Sequence, residues 1–173
     1  MSQRPKSLPE KLYGSAVSWE GWTFHILSSP AGLRFVDLVG TPFPQLAERL
    51  KARVVPDDAS NEEILQQVRG YLCGERRLFD LPLDLRGTPF QESVWQAVAK
   101  IPYGETTTYG ALAAGIGRPQ ATRAVGQAVG ANPVPIVIPC HRVIGTSGNL
   151  TGFGGGLPLK ERLLALEQGS LSL

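Results

Sequence analysis

Two short helical segments joined by a glycine-containing turn constrain the fold of this chain more than any other feature of its sequence. The apolar pattern predicts helices over residues 109–114 and 119–129, with Gly115-Ile116-Gly117-Arg118 between them. Two helices around such a turn form a helix-turn-helix pattern. A glycine inside a helix costs about 1 kcal/mol relative to alanine, so Gly126 indicates that something approaches the second helix closely. A tightly packed helix pair inside any enzyme would give the same pattern.

A cysteine and a histidine lie side by side in Pro139-Cys140-His141-Arg142-Val143, directly after the apolar run Ile136-Val137-Ile138. The run predicts a buried strand with Cys140 at its end. The thiolate is the nucleophile, and a partner that takes up the proton raises its population. An isolated pair of this kind would favour a structural cysteine, because free cysteine is among the most buried residue types. The surroundings decide which interpretation holds.

The segments on either side of the pair predict further helices. Thr88-Pro89-Phe90-Gln91 supplies a cap residue, a proline at the first helical position and a glutamine three residues after the cap. After the pair, residues 145–156 contain six glycines, without the sequence context of a nucleotide-binding loop. These glycines predict a flexible loop that forms one wall of a site. A closing helix is predicted after it, over 159–168, and carries Glu167.

The first half of the chain predicts a compact α+β unit. Residues 22–28 and 33–39 have strand-like content around the turn Pro30-Ala31-Gly32. A helix is predicted over 42–54, and Ser60-Asn61-Glu62-Glu63 matches the capping box of a second helix. The apolar face of that second helix is at helical spacing: Ile64, Leu65, Val68, Tyr71 and Leu72.

No catalytic pattern stands out in this first half, which therefore predicts a scaffold. A stretch rich in leucine, proline and aspartate over 79–87 indicates a boundary. We predict an N-terminal α+β domain over 1–84 and a C-terminal domain over 85–173.

Composition and charge exclude several classes of protein. Hydrophobic residues make up 42% and charged residues 18%, which suits an ordinary globular protein. The longest apolar stretches are far short of the roughly 20 residues that span a bilayer. No apolar segment follows the basic residues of the N-terminus, so a cytoplasmic location is the default expectation. The net charge of +2 permits nucleic-acid binding but does not indicate it.

The two cysteines and two histidines of the chain predict neither a disulfide framework nor a metal site. Two cysteines do not make the framework of a secreted protein. Cys73, Cys140, His25 and His141 also lack the spacing of a zinc finger. Cys73 falls in an amphipathic helical pattern, which predicts a small packed residue or one at a helix end.

The segment from Pro89 to Glu167 resembles the O6-alkylguanine-DNA alkyltransferases, suicidal DNA-repair proteins. The resemblance rests on an ordered series of motifs: Tyr103-Gly104-Glu105-Thr106, Thr108-Tyr109, Arg123-Ala124-Val125-Gly126, Asn132-Pro133-Val134-Pro135-Ile136, Ile138-Pro139-Cys140-His141-Arg142-Val143, Gly155-Gly156-Leu157 and Lys160-Glu161. It implies an α+β protein with a small ribonuclease H-like N-terminal domain. The C-terminal domain would be mostly helical and winged-helix-like, with the helix-turn-helix.

The resemblance implies a role for each candidate catalytic residue. Cys140 would attack the alkyl carbon on O6 of guanine, His141 would deprotonate it through a water, and Glu167 would orient the imidazole. Tyr109 would donate a proton or a strong hydrogen bond to the leaving guanine. Asn132 would organise the turn between the second helix and the active-site strand. DNA supplies the alkyl group, so neither a metal nor an organic cofactor is implied.

The resemblance also implies that the partner is double-stranded DNA that contains alkylated guanine. The base must leave the duplex to react, and Arg123 would fill the vacated stack while the slim second helix enters the minor groove. The residues implied in DNA binding are Gln120, Ala121, Thr122, Arg123, Gly126 and Gln127. Those implied in the guanine pocket are Pro135, Val143, Ser147, Phe153 and Leu157. Phe153 stands where close relatives commonly have a tyrosine.

Several alternatives stay open at this point. A lesion-binding protein without transfer activity would share the fold but would lack the cysteine. A thiol hydrolase would need an oxyanion hole, and a transcription regulator would bind one DNA sequence preferentially. A monomer in solution is expected, while cooperative assembly on DNA, the range of alkyl groups and activity on O4-alkylthymine are left open.

Overall fold

The N-terminal half is built on a four-stranded sheet. The computed structural model describes residues 9–169. Strands β1 (Glu10–Trp19), β2 (Trp22–Ser29) and β3 (Gly32–Asp37) form an antiparallel meander, and β4 (Ala52–Pro56) lies parallel to β1 at the edge. The predicted hairpin of β2 and β3 is confirmed. Strands β1 and β4 were not predicted from the sequence.

The first hairpin turn shows why β1 and β2 pair. Glu20 and Gly21 both have positive φ, at 48° and 87°. A two-residue hairpin with positive φ at both positions has a twist that matches the strands on either side. The chain therefore reverses directly from Trp19 to Trp22, which face each other in the register.

Two helix predictions in this half were wrong in detail. Helix α1 (Phe43–Leu50) does not continue to residue 54, because Lys51 adopts a left-handed conformation with φ 52° and β4 begins at once. Helix α2 (Glu62–Leu72) does not use Ser60 in a capping box. The hydroxyl of Ser60 donates instead to Asp57 (2.8 Å), within a short 3-10 turn that precedes the helix.

Helix α2 ends as the sequence predicts, at Gly74 with φ 75°. Cys73 lies at this helix end and is exposed, so the prediction of its position is confirmed and the packed alternative is wrong.

The C-terminal half is mostly helical. Helix α3 (Pro89–Ala99) begins with the predicted capping box, in which Thr88 and Gln91 exchange hydrogen bonds. The other elements follow in chain order: β5 (Thr107–Thr108), α4 (Tyr109–Gly115), a 3-10 turn (Pro119–Ala121), α5 (Thr122–Gly130), a 3-10 turn (Cys140–Arg142), β6 (Val143–Ile144) and α6 (Leu157–Glu167). The predicted helix-turn-helix pattern thus corresponds to α4 and α5. Strands β5 and β6 pair in parallel.

One hydrophobic core joins the two halves. Phe24 and Tyr71 from the first half and Trp95 and Leu163 from the second all belong to it and are almost fully buried. The connecting segment 79–88 also lies against the sheet, where the Leu33 amide donates to the Pro82 carbonyl (2.8 Å). Across residues 9–169, no helix has the length and apolarity needed to cross a membrane.

Candidate active site

A tight turn precedes the cysteine, and the predicted buried strand over 136–138 was wrong. The Ile138 amide donates to the Val134 carbonyl (2.9 Å), and Ile136 has a positive φ of 75°. Two prolines in this segment, Pro133 and Pro135, lack the backbone N–H that a central strand requires. Ile136 and Ile138 are buried as predicted and Val137 partly so, but in a turn.

Asn132 holds this turn closed from both ends. Its Nδ2 donates to the Ile138 carbonyl (2.8 Å), and its Oδ1 accepts from the Val134 amide (3.0 Å). Both groups belong to buried backbone, where an unpaired donor or acceptor costs free energy. The side chain therefore fixes the segment that delivers Cys140.

Cys140 opens a 3-10 turn and lines an apolar cavity of about 530 Å³. The thiol residue is only 8% exposed. Helices α4 and α5 contribute Tyr109, Thr122 and Gly126 to the walls, and the glycine-rich loop contributes Phe153. A buried thiol at the wall of a concave apolar pocket is the arrangement expected of a site that encloses an organic ligand.

Behind Cys140, His141 and Glu167 form a buried hydrogen-bonded pair. The distance from His141 Nε2 to Glu167 Oε1 is 2.7 Å, and both side chains are 0% exposed. Arg142 donates to the same carboxylate, with Nη2 at 2.8 Å from Oε1 and Nε at 2.9 Å from Oε2. The Gly104 amide completes the set at 3.0 Å from Oε2. Since the carboxylate accepts at Nε2, Nδ1 is the imidazole nitrogen left to take a proton.

Three residues at or beside the site were missed by sequence reasoning. Tyr71 donates to Glu167 Oε1 (2.5 Å), Arg142 pairs with the same carboxylate, and Lys160 donates to the carbonyls of Val143 (2.6 Å) and Thr151 (2.9 Å). Tyr71 stood in the pattern only as part of an apolar helix face. The signal that it carried is general, since a buried tyrosine hydroxyl usually needs a partner. The buried Lys160 gave no comparable signal before its carbonyl partners were known.

Burial and charge set the protonation states of the site. Burial alone would raise the pKa of Glu167, but hydrogen bonds from His141, Arg142 and Tyr71 together lower it to about 2. Burial lowers the pKa of His141 against the opposing hydrogen bond and charge of Glu167. Burial also raises the pKa of Cys140, while the Asn132 amide and the Lys160 charge act in the opposite direction. At neutral pH these directions favour a thiol, a neutral imidazole and a carboxylate.

Tyr109 reaches the cavity because of a helix cap. The Thr108 hydroxyl accepts from the Ala111 amide (3.1 Å) and so starts α4 at Tyr109. The Tyr109 hydroxyl accepts from Thr151 Oγ1 (3.3 Å), in the glycine-rich loop opposite. The phenol therefore lies between the helix-turn-helix unit and the loop, across the cavity that Cys140 lines.

The residues implied in DNA binding lie together on one unit. Gln120, Thr122, Arg123 and Gln127 are exposed, on the 3-10 turn and α5. Ala121 lies with them and is partly covered. A methyl group added at Gly126 would lie 3.8 Å from the Tyr109 ring, an ordinary contact. Packing within the protein therefore does not require glycine at this position.

The residues implied in the guanine pocket divide into two groups. Pro135 and Phe153 line the cavity, and the Phe153 ring lies edge-on to His141 with the ring centres 6.5 Å apart. Val143, Ser147 and Leu157 do not line it. Val143 is buried in β6, while Ser147 and Leu157 are exposed. Residues that were not predicted also line the wall, among them Leu38 from the N-terminal half and Thr151 from the loop.

The fold and site define a two-part α+β protein in which a buried free cysteine lies behind a helix-turn-helix unit. Comparisons with known proteins give the family. The model of the 6-O-methylguanine DNA methyltransferase ribonuclease-like domain matches residues 12–85, and that of the DNA binding domain matches residues 89–169. The chain belongs to the 6-O-methylguanine DNA methyltransferase family.

Curated relatives and solved structures agree with this family. The inducible methylated-DNA–protein-cysteine methyltransferase of Bacillus subtilis is 43% identical over 166 residues, which cover 93% of each chain. The methylated-DNA–protein-cysteine methyltransferase of Methanosarcina acetivorans is 46% identical over 151 residues, which cover 83% of this chain and 97% of the relative.

The crystal structure of the Mycobacterium tuberculosis O6-methylguanine methyltransferase has a TM-score of 0.81 at 39% identity. It covers 93% of this chain and 95% of that one. The structure described as the M. tuberculosis protein in complex with DNA has a TM-score of 0.79 at 40% identity, over 92% and 93% of the two chains. The resemblance and the α+β fold class predicted from sequence are confirmed.

Proposed function

We propose that this protein repairs double-stranded DNA by transferring the alkyl group of O6-alkylguanine irreversibly to Cys140. The observation that carries the proposal is a buried thiol that lines an apolar cavity and is backed by the His141–Glu167 pair. A bond forms between the Cys140 sulfur and the alkyl carbon while the bond from that carbon to O6 breaks. The thioether has no easy hydrolytic exit, so each molecule acts once.

The proton follows a path that the site supports. His141 Nδ1 takes the thiol proton through one bridging water, and Glu167 stabilises the imidazolium at Nε2, where it already accepts a hydrogen bond. Because burial favours the neutral thiol and the neutral imidazole, the charge pair forms only as the alkyl carbon is attacked. Tyr109 donates a proton or a strong hydrogen bond to the departing guanine, which would otherwise leave as a poor anion.

The cavity and the exposed helix support recognition of a base taken out of the duplex. A volume of about 530 Å³ lies within the range of sites that enclose small organic ligands. Helix α5 presents small and polar residues, in agreement with entry into a minor groove without base-specific readout. We propose that the protein is a monomer, needs no cofactor and acts in the cytoplasm. Activity on O4-alkylthymine belongs to the same chemistry and is testable on the same duplexes.

The intact mass of the protein after reaction tests the transfer directly. After incubation with a duplex that carries O6-methylguanine, we expect a gain equal to one methylene group, located on Cys140 by peptide mapping. The gain should stop at one group per protein molecule. Tight binding to the same duplex with no gain in mass would support instead the lesion-binding alternative without transfer.

Replacing Arg123 by alanine tests whether this side chain fills the base stack that the extruded guanine leaves. Arg123 is exposed at the start of α5, away from the buried nucleophile. Extrusion of a base costs a few kcal/mol, so we expect Arg123→Ala to slow transfer from duplex DNA by about 10- to 100-fold. Transfer from the free alkylated base should stay at the wild-type rate. The ratio of the two rates, measured in single-turnover reactions, is the result to compare.

Arg118 offers a matched control because it is another exposed arginine in the same helix-turn-helix unit. Arg118→Ala should leave the ratio of the duplex and free-base rates unchanged. An equal loss of transfer rate on duplex and free base for Arg123→Ala would show that this side chain does not fill the vacated base stack.

A further inference from the structure

We infer that Tyr71, a residue of the N-terminal half, is a positioning residue for alkyl transfer, because its hydroxyl holds the carboxylate that orients His141. The inference rests on the proposed function, since it assigns Tyr71 to the proton path of that reaction. It goes beyond the two-part description of the chain, because it places part of the catalytic apparatus in the half that the sequence analysis interpreted as a scaffold.

The geometry around the Tyr71 hydroxyl carries this inference. The hydroxyl donates to Glu167 Oε1 at 2.5 Å and lies 3.2 Å from His141 Nε2. It thus binds the same carboxylate oxygen that the imidazole binds at 2.7 Å. The residue is 0% exposed. Its ring packs against Phe79 and Tyr103, with centres 5.3 and 6.0 Å away. These contacts fix the direction in which the hydroxyl points.

The hydroxyl is a permanent donor in this setting. Burial and the neighbouring Glu167 carboxylate raise the pKa of Tyr71 well above 10. Tyr71 therefore keeps its proton throughout the pH range in which the protein works. A donor on Oε1 withdraws electron density from the oxygen that faces Nε2, and so weakens the support that this oxygen gives to an imidazolium. The Tyr71 hydroxyl acts on the imidazole mainly through its 2.5 Å bond to Glu167, because its 3.2 Å contact with His141 is longer.

Other charged and titratable groups face the same network. Lys160 and Glu167 come from α6, while Cys140 and Arg142 come from the 3-10 turn that holds His141. Tyr103 comes from the segment after α3, and its ring lies 5.7 Å from the Arg142 guanidinium. Among these groups only Glu167 accepts the Tyr71 hydroxyl proton.

The test is Tyr71→Phe, which keeps the packed ring and removes the hydroxyl. We expect the plateau rate of Cys140 alkylation, measured with O6-methylguanine duplex across pH, to fall by about tenfold, because Glu167 loses one of the hydrogen bonds that hold it in place against His141. The acid limb of the profile should move to higher pH by up to about one unit, because Oε1 then supports the imidazolium more strongly. A purely structural role would lower the rate or the stability without moving this limb.

Tyr103→Phe is the matched control. It removes a tyrosine hydroxyl from the same neighbourhood, and within residues 9–169 that hydroxyl makes no hydrogen bond to Glu167. The control should keep the wild-type acid limb. If the profiles of Tyr71→Phe and Tyr103→Phe coincide with that of the wild type, the inference is wrong.

A second readout does not depend on alkyl transfer. The chain has only two histidines, so NMR can assign the His141 imidazole and follow its titration. Tyr71→Phe should raise the pKa of His141. An unchanged His141 titration overturns the inference even if the wild type transfers alkyl groups, while a wild type that transfers none defeats the proposed function whatever the titration shows. In the wild type, the absence of a protected Tyr71 hydroxyl proton would also contradict the inference.

Discussion

Replacing Cys140 by serine should abolish alkyl transfer while leaving the affinity for duplex DNA unchanged. The serine hydroxyl is a far weaker nucleophile than a thiolate, and the loss of a nucleophile costs on the order of 10⁶-fold in rate in a well-studied hydrolase. Cys140 is 8% exposed and lies behind the surface that α5 presents. The substitution therefore should not disturb the contacts that hold the duplex. Single-turnover transfer and equilibrium binding to the same labelled duplex are the two measurements.

Cys73→Ser supplies the control, because Cys73 is the second free thiol and is exposed at the end of α2. It should transfer at the wild-type rate and yield the same mass gain. Residual transfer in Cys140→Ser, or loss of transfer in Cys73→Ser, would show that Cys140 is not the nucleophile.

Glu167→Gln should damage both the chemistry and the fold. The change leaves Arg142 buried without its anion, and breaking a buried ion pair from one side typically costs about 3–5 kcal/mol. The imidazolium at His141 also loses its support, so we expect transfer to slow by at least about 100-fold. Glu161→Gln is the matched control, on an exposed position of the same helix. Denaturant unfolding and the single-turnover rate measure the two effects separately.

The same carboxylate predicts how stability depends on acid. The folded-state pKa of Glu167 lies at about 2, below its ordinary value of 4.5, so its contribution to stability is present above pH 4.5. It is lost as the pH falls from about 4.5 towards 2, and it amounts to about 3 kcal/mol. The acid-induced loss in wild type should exceed that in Glu167→Gln by this amount. Equal losses in the two proteins would contradict the assignment.

Much of the fold followed from patterns that act over a few residues. The capping box at Thr88 and the glycine stop at Gly74 depend on local hydrogen bonds and backbone freedom, so sequence alone was sufficient. The helix predicted over 42–54 failed because Lys51 reverses the chain and the next residues pair with β1, a partner some forty positions away. Pairing between distant segments leaves little trace in a short window.

The candidate site divides in the same way. Cys140 and His141 stand out because they are neighbours in the chain, and Glu167 entered only through the family resemblance. Tyr71 is separated from Glu167 by 96 positions, and only the folded chain brings the two side chains together. The burial predicted for the segment before Cys140 was largely right, but its backbone forms a turn and not a strand, because the prolines permit an apolar turn.

Glu167 also bears on how this chain tolerates change over evolution. Active sites usually lower stability, so that substitutions which remove activity often strengthen the fold. Here the carboxylate that serves His141 also binds Arg142, Tyr71 and the Gly104 amide, and thus ties three separate segments to its own helix. Drift at this position would cost the protein its fold together with its chemistry. An inactive but well-folded descendant is therefore more readily reached by losing Cys140 than by losing Glu167.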